Sequence, residues 1–441
     1  MRKLTRAQSV RTLAALVAMA APLTAMATNG MLMEGYGPIS TGMGGAAQSF
    51  DHGNAGMAQN PATLALMPDG ARLDVALGFL GPKVTSSVPG MEAKSGGDLY
   101  SMPALGYTQR TGALTYGIGL FAQGGMGTEY DANSFLAMGS GAPVRSELSV
   151  GNVIMPLAYR VSPDLTVGAT LDLIWAGLDL QMAASGAQLG GLVTGANGNL
   201  AMALPALGGA PWSRVSFSDS SKFTGSAKGT GFGAKLGATY KVNDQWRLGG
   251  SYRFKSALDD LQTGATTASL SATGGFVDNG RMTVVDFQMP AVLAAGVSWQ
   301  ASPAVLLAAD LKSIRWANVM KSFKMRYDSI GMGGSVSFEL PQNWDDQTVL
   351  HLGMAWKTSE QLTLRAGLNL ADNPIPDATV NPLFPAIVRN HLTLGMGYKL
   401  SPAGEFNAAL TLAPKVSVAS GSGVDISHSQ TNLQLMYSHL F

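Results

Sequence analysis

Residues 361–370, Gln-Leu-Thr-Leu-Arg-Ala-Gly-Leu-Asn-Leu, set Leu362, Leu364, Ala366, Leu368 and Leu370 at every second position, with Gln361, Thr363, Arg365, Gly367 and Asn369 between them. Successive side chains of a strand point to opposite faces, so this stretch reads as a strand with one apolar and one polar or small face. Residues 391–400 repeat the pattern, with Leu392, Leu394, Met396, Tyr398 and Leu400 alternating with Thr393, Gly395, Gly397 and Lys399. Trp246, Leu248, Gly250, Tyr252 and Phe254 do the same against Arg247, Gly249, Ser251, Arg253 and Lys255. A soluble sandwich also alternates. The number of such segments and the way they are connected therefore decide the fold.

Fourteen strands are expected, near 72–80, 100–109, 113–123, 148–160, 164–180, 228–241, 245–257, 285–300, 304–316, 347–357, 361–370, 391–400, 405–413 and 432–441. Short turns (such as Ser162-Pro163, Ser302-Pro303 and Ser401-Pro402) alternate with long segments (such as 181–227, 258–284 and 317–346). Outer-membrane barrels have short periplasmic turns, longer outer loops and an even strand number. The expectation is an all-β fold, a 14-stranded antiparallel transmembrane β-barrel. The chain ends on Phe441, with Leu433, Leu435 and Tyr437 before it at every second position. A terminal aromatic on a final strand resembles the signal read by the barrel assembly machinery, which makes that machinery an expected partner.

The start of the chain points to export. Arg2, Lys3, Arg6 and Arg11 precede an apolar run from Leu13 to Leu23, and Ala25-Met26-Ala27 is a small-x-small cleavage site. Residues 1–27 therefore read as a secretory signal peptide, too short in its apolar core to span a membrane comfortably. Removing it leaves 25 Lys+Arg against 28 Asp+Glu, which gives no electrostatic case for nucleic acid. Cysteine is absent, so disulfides and thiolate chemistry are excluded. Charged residues make up only 13% of the chain, yet no later stretch is a membrane helix. That combination suits strands that carry an apolar residue at every second position.

Residues 28–70 do not read as strand. They contain Gly42-Met43-Gly44-Gly45-Ala46-Ala47 and Asn60-Pro61-Ala62. Gly42, Gly44 and Ala47 formally match a dinucleotide fingerprint, but the strand, βαβ unit and later acidic residue it needs are missing. A compact, Gly-rich segment ahead of the first strand suits a plug folded into the lumen, since wide barrels enclose more space than side chains fill. The expected organisation is signal peptide 1–27, lumenal hatch 28–70 and barrel 71–441.

These residues carry a resemblance. The run from Gly42 to Ala62, the block Asn343-Trp344-Asp345-Asp346 with Leu362 to Gly367, Pro374-Ile375-Pro376-Asp377, Pro385 and His391 to Tyr398, and, more weakly, Ser251 to Ser256 resemble the FadL-like family of outer-membrane transporters. That family takes up long-chain fatty acids and aromatic hydrocarbons. The resemblance implies a fourteen-strand barrel plugged by a hatch, capture of a hydrophobic ligand in an outer groove, passage to a lumen pocket, and release by movement of the hatch and a lateral opening. It makes Gly42, Gly44, Gly45, Asn60, Pro61 and Ala62 the expected gating residues and implies a monomer in outer-membrane lipid of a Gram-negative cell.

The ligand is expected to be a hydrophobic small molecule, a fatty acid or a hydrocarbon. Segment 181–227 has no charged residue from Gln181 to Ser213, and Leu204 and Leu207 stand among its apolar residues. An exposed apolar groove that first captures ligand is expected there. Arg160, Arg253 and Arg365 fall on the polar faces of their strands and should point inward, because a lipid-facing Arg near the midplane costs about 2–4 kcal/mol. Each is a candidate for holding a carboxylate head group. Most such cations are expected to serve structure; Arg365 is the first candidate for function. His52, His351, His391, His428 and His439 show no metal-ligand spacing and no Ser-His-acid pattern stands out, so neither enzyme, metal nor cofactor is expected. A general diffusion porin is the nearer alternative, and it requires an open lumen.

Overall fold

A computed structural model of the chain describes residues 29–221 and 224–441. The expected signal peptide, 1–27, lies outside the described residues. Strands Gly70–Val88, Tyr100–Thr111, Leu114–Tyr130, Val144–Arg160, Leu165–Ala184, Ala227–Lys241, Trp246–Arg253, Val292–Ser302, Val305–Ile314, Gln347–Lys357, Leu362–Ala371, Asn390–Lys399, Gly404–Ala419 and Asp425–Leu440 each pair antiparallel with the next. The last pairs with the first, from Arg72↔Leu440 to Ser87↔Asp425, and closes the wall. Phe441 completes the seam through backbone bonds with Ala71, its ring exposed.

The expected count of fourteen is corrected. Among the described residues the sheet holds twenty-three antiparallel strands, because the stretches expected to be loops form strands of their own. Ser213–Phe217, Ala268–Ala272, Phe276–Val285, Ser322–Ser329 and Ser335–Pro341 pair into an extension above the wall. Its inward residues, among them Val215, Leu270, Met282, Met325 and Phe338, are buried in one large apolar cluster with Trp316 and Tyr130. Some wall strands run longer than expected, Gly70–Val88 most of all, and others, such as Trp246–Arg253 and Val292–Ser302, run shorter.

The lower wall is apolar outside and polar within. Leu364, Leu392, Leu394 and Met396 are exposed while Arg365, Asn369, His391 and Thr393 are buried. Tyr116, Tyr159, Tyr240, Trp299, Trp356 and Tyr398, all exposed, lie close to the short turns and form an aromatic girdle at that end. Trp246 and Trp299 stack there across adjacent strands with ring centroids 5.3 Å apart. Lipid explains this inversion, since only an apolar solvent favours Leu and Tyr outside and Asn and His inside.

Residues 29–69 are almost wholly buried and touch strands around the whole circuit, which puts them inside. They form a short helix, Gly37–Thr41, and two 3-10 turns, Asn54–Met57 and Pro61–Leu66.

Candidate functional site: an interior segment, an apolar cavity and a gap in the wall

The interior segment is held by polar atoms of the inner wall. Asp310 accepts from the Ala47 and Gln48 amides at 2.6 and 3.0 Å, Thr393 from the Gly44 amide at 3.0 Å, and Lys235 donates to the Met57 carbonyl at 3.0 Å. Arg72 grips Asp51 with two bonds of 2.7 and 2.5 Å. Burial alone would push the Asp51 carboxyl up, but the Arg72 guanidinium and the Gly53 amide hold it below the ordinary range.

The residues expected to gate lie at two places on the inner wall: Asn60, Pro61 and Ala62 against Gly168 and Gly237, and Gly42 and Gly44 against Gly395 and Leu368. Asn60 caps the turn Pro61–Leu66: its Oδ1 accepts from the Ala62 amide, and its Nδ2 donates to the carbonyls of Gln48 and Ala238. Pro61 stands at the first helical position, where its missing N–H costs nothing. Gly44 and Gly45 have φ of +70° and +92°, which L side chains rarely adopt. At several of its close contacts with the segment the wall residue is glycine. A Cβ on Gly168 would stand 2.7 Å from the Ala62 amide nitrogen, and Gly42 lies against Gly395.

Above this contact lies an apolar cavity of about 270 Å³, lined by Met31, Met33, Met102, Phe121, Leu148 and Trp175 among others. Its ionisable lining residues, among the described residues, are Glu34, Glu147, His428 and Tyr100; no Lys or Arg takes part. Glu147 is paired with Arg145 at 2.9 Å, whereas Glu34, almost fully buried, receives a long bond of 3.4 Å from Asn432.

The cavity reaches the outer face of the wall. The ladder between Tyr100–Thr111 and Leu114–Tyr130 stops at Ala104↔Phe121, although both strands continue. The next residue, Pro103, has no N–H for a ladder. Opposite it the register shifts between Ala122 and Gly124, leaving Gln123 as a bulge. Met102, Pro103 and Ala122 line the cavity and also a smaller one beside it, whose lining includes the exposed Leu77 and Leu105. The bulge is tied to the interior: Tyr36 donates to the Gln123 carbonyl at 2.6 Å, and Leu32 bridges to Gly124.

The three candidate arginines all point inward, and none lines the cavity. Arg160 donates to the Ala65 carbonyl at 2.9 Å, which anchors the end of the Pro61–Leu66 turn. Arg253 donates to the Gln123 side chain at 2.6 Å and so steadies the bulge. Arg365 donates to Asn407 at 2.9 Å, with Glu405 at 3.9 Å. The gap itself escaped the sequence reading, although Pro103 within a strand and Gly124-Gly125 after it were its available signals.

Leu204 and Leu207, on the helix Gly198–Gly208, line a second apolar cavity of about 210 Å³ in the outer extension, with Leu189, Leu270, Phe276 and Phe338. If this is where ligand first lodges, Leu204→Ser with Leu207→Ser lowers uptake several-fold at limiting ligand and leaves it near normal at saturation. Equal uptake at every concentration would remove the outer cavity from the route.

The chain matches the model of the family described as outer membrane protein transport protein (OMPP1/FadL/TodX) over residues 14–438. The Pseudomonas putida toluene transporter TodX is 33% identical, with a TM-score of 0.83, over 92% of this chain and 99% of that one. The Ralstonia pickettii toluene transporter TbuX is 30% identical, with a TM-score of 0.79, over the same shares. Outer membrane protein P1 of Haemophilus influenzae is 23% identical over 298 residues, 65% of this chain and 60% of that protein. The chain spans a little over half the length of the curated relatives it matches. A closed wall with an apolar exterior and a match over nearly all its length agree: the chain belongs to the outer membrane protein transport family, and its place is the Gram-negative outer membrane.

Proposed function

We propose that this chain takes up small uncharged hydrophobic molecules, monoaromatic hydrocarbons foremost, and passes them sideways into the outer membrane. The supporting observation is the apolar cavity that continues through the gap between Tyr100–Thr111 and Leu114–Tyr130. Its volume, about 270 Å³, falls at the small end for ligand pockets. Glu147 is balanced by Arg145, so Glu34, with no ion pair among the described residues, argues for a neutral cargo. A fatty acid head group would set a second carboxylate beside it in a poorly screened space, where like charges repel far more than in water. The route runs from the outer cavity at Leu204 and Leu207 to the central cavity and out past Ala122. Residues 29–69 serve as a hatch that bars the aqueous path, which argues against a diffusion porin. TodX and TbuX are toluene transporters, and this reading extends their substrate class to the chain.

Uptake of radiolabelled toluene and of radiolabelled oleate, in cells with and without the protein, tests the reading. Toluene uptake should depend on the protein and oleate uptake should not. Glu34→Gln should raise uptake of a carboxylate probe relative to toluene. Protein-dependent oleate uptake with no toluene uptake would overturn the assignment.

A further inference from the structure

On three neighbouring strands the outer face changes character at one height. Along Gly70–Val88 the outward residues are Leu73, Val75, Leu77 and Phe79, and after Gly81 they become Lys83, Thr85 and Ser87. Along Gly404–Ala419, Leu410 and Leu412 give way to Lys415 and Ser417. Along Asp425–Leu440, Leu433 and Tyr437 lie below Thr431, Ser429 and Ser427. Inward residues change in the opposite sense, from Arg72 and Asp74 to the apolar Val84. The switch marks where the wall leaves hydrocarbon and enters the layer of lipid head groups.

Strand register then brings cations together. Lys83 pairs with Ser429, and Lys415 sits opposite the same serine, where the register shifts between Ala413 and Val416. Two strand spacings separate the lysines, roughly 10 Å. One row higher, Lys94, Thr85, Ser427 and Ser417 follow in pairing order across four strands. Lys83 and Lys415 are exposed and make no ion pair among the described residues. Lys94 is paired loosely with Glu92 at 3.4 Å. Five hydroxyls, those of Thr85, Ser87, Ser417, Ser427 and Ser429, stand among these amines. Asp425 and Glu92 are the acids at the edge of the patch.

We propose that this face binds a phosphorylated glycolipid of the outer leaflet, with one lipid A phosphate held between Lys83 and Lys415 over the Ser429 hydroxyl. Ammonium groups take phosphate as point charges, hydroxyls add hydrogen bonds, and the acyl chains run down Phe79, Leu410, Leu412 and Leu433. Outer-leaflet lipid is the one anion-bearing molecule that presents its charge at this height with its chains directed downward.

The test measures binding of fluorescent diphosphoryl lipid A to the detergent-purified barrel, with K83E/K415E as the variant. The side chains point away from the lumen, so the variant should fold and show the usual shift between heated and unheated samples on gels. Binding should weaken roughly tenfold or more, since each basic residue near a charged lipid surface is worth about a tenfold factor or somewhat less. Lipid A stripped of both phosphates should bind the native protein as weakly as intact lipid A binds the variant. K255E, at an exposed lysine outside the patch, should change nothing. Equal binding by native protein and K83E/K415E, an equal loss in K255E, or equally tight binding of phosphatidylglycerol would each overturn the proposal.

Discussion

Replacing Gly237 by valine should turn a closed channel into a leaky one. Gly237 lies in the strand Ala227–Lys241 directly under Asn60 and Pro61. A Cβ there would overlap the Asn60 carboxamide oxygen and stand 2.9 Å from the Pro61 ring. Asn60 cannot retreat without giving up its bonds to Gln48 and Ala238 and its cap on the Ala62 amide. The wall cannot retreat either, because Gly237 is paired on both sides, to Gly168 and to Ser251. Overpacking of this kind costs roughly 1–3 kcal/mol, and the interior segment is the partner free to move. Planar bilayer recordings should show a rise in ion conductance, and cells should become sensitive to hydrophilic antibiotics too large for ordinary porins. Gly190→Val, placed where nothing stands within 4 Å, is the control and should stay closed. A folded Gly237→Val protein with native conductance would mean that Asn60-Pro61-Ala62 does not seal the lumen.

The lower wall was legible in the sequence because one solvent lies on each side of it. Lipid outside and polar lumen inside force the period of two in residues 361–370 and 391–400, and Tyr398 near the end of the second lies at the girdle. Above the membrane the environments exchange places. The period continues through Gly70–Val88, but the apolar residue moves from the odd positions (Leu77, Phe79) to the even one (Val84), so the pattern cancels and the strand looks finished at residue 80. The same exchange hid Ala268–Ala272 and Ser322–Ser329, which face their apolar side into the cap. That is how an expectation of fourteen strands met a sheet of twenty-three. Asn60-Pro61-Ala62 could be picked out because its residues are contiguous. The cavity could not, since its lining is drawn from places as far apart as Met31, Trp175 and His428, which only the closed sheet brings together. Arg160, Arg253 and Arg365 were rightly placed on the inner face, but their partners could not be named from spacing. Two of them steady the interior segment and the bulge.

Ala122→Trp should abolish uptake while leaving the hatch sealed. Ala122 is partly exposed and lines both cavities at the one place where the wall ladder is interrupted beside them. An indole there fills the space between Pro103 and the bulge at Gln123 from the membrane side, where its apolar bulk is tolerated. The Tyr36 and Arg253 bonds to Gln123 and the bridge from Leu32 to Gly124 lie on the inner side and need not change. Radiolabelled toluene uptake should fall to the level of cells lacking the protein, and Ala122→Leu should give an intermediate rate. Conductance should remain as low as in the native protein, in contrast to Gly237→Val. The two variants thereby separate two exits. A ligand that leaves downward past the hatch would be indifferent to Ala122→Trp and accelerated by Gly237→Val. A ligand that leaves through the wall is stopped by the tryptophan whatever the state of the hatch, so the double variant should conduct ions and still fail to take up toluene. Native toluene uptake by folded Ala122→Trp protein would rule out the lateral exit and send the cargo through the lumen.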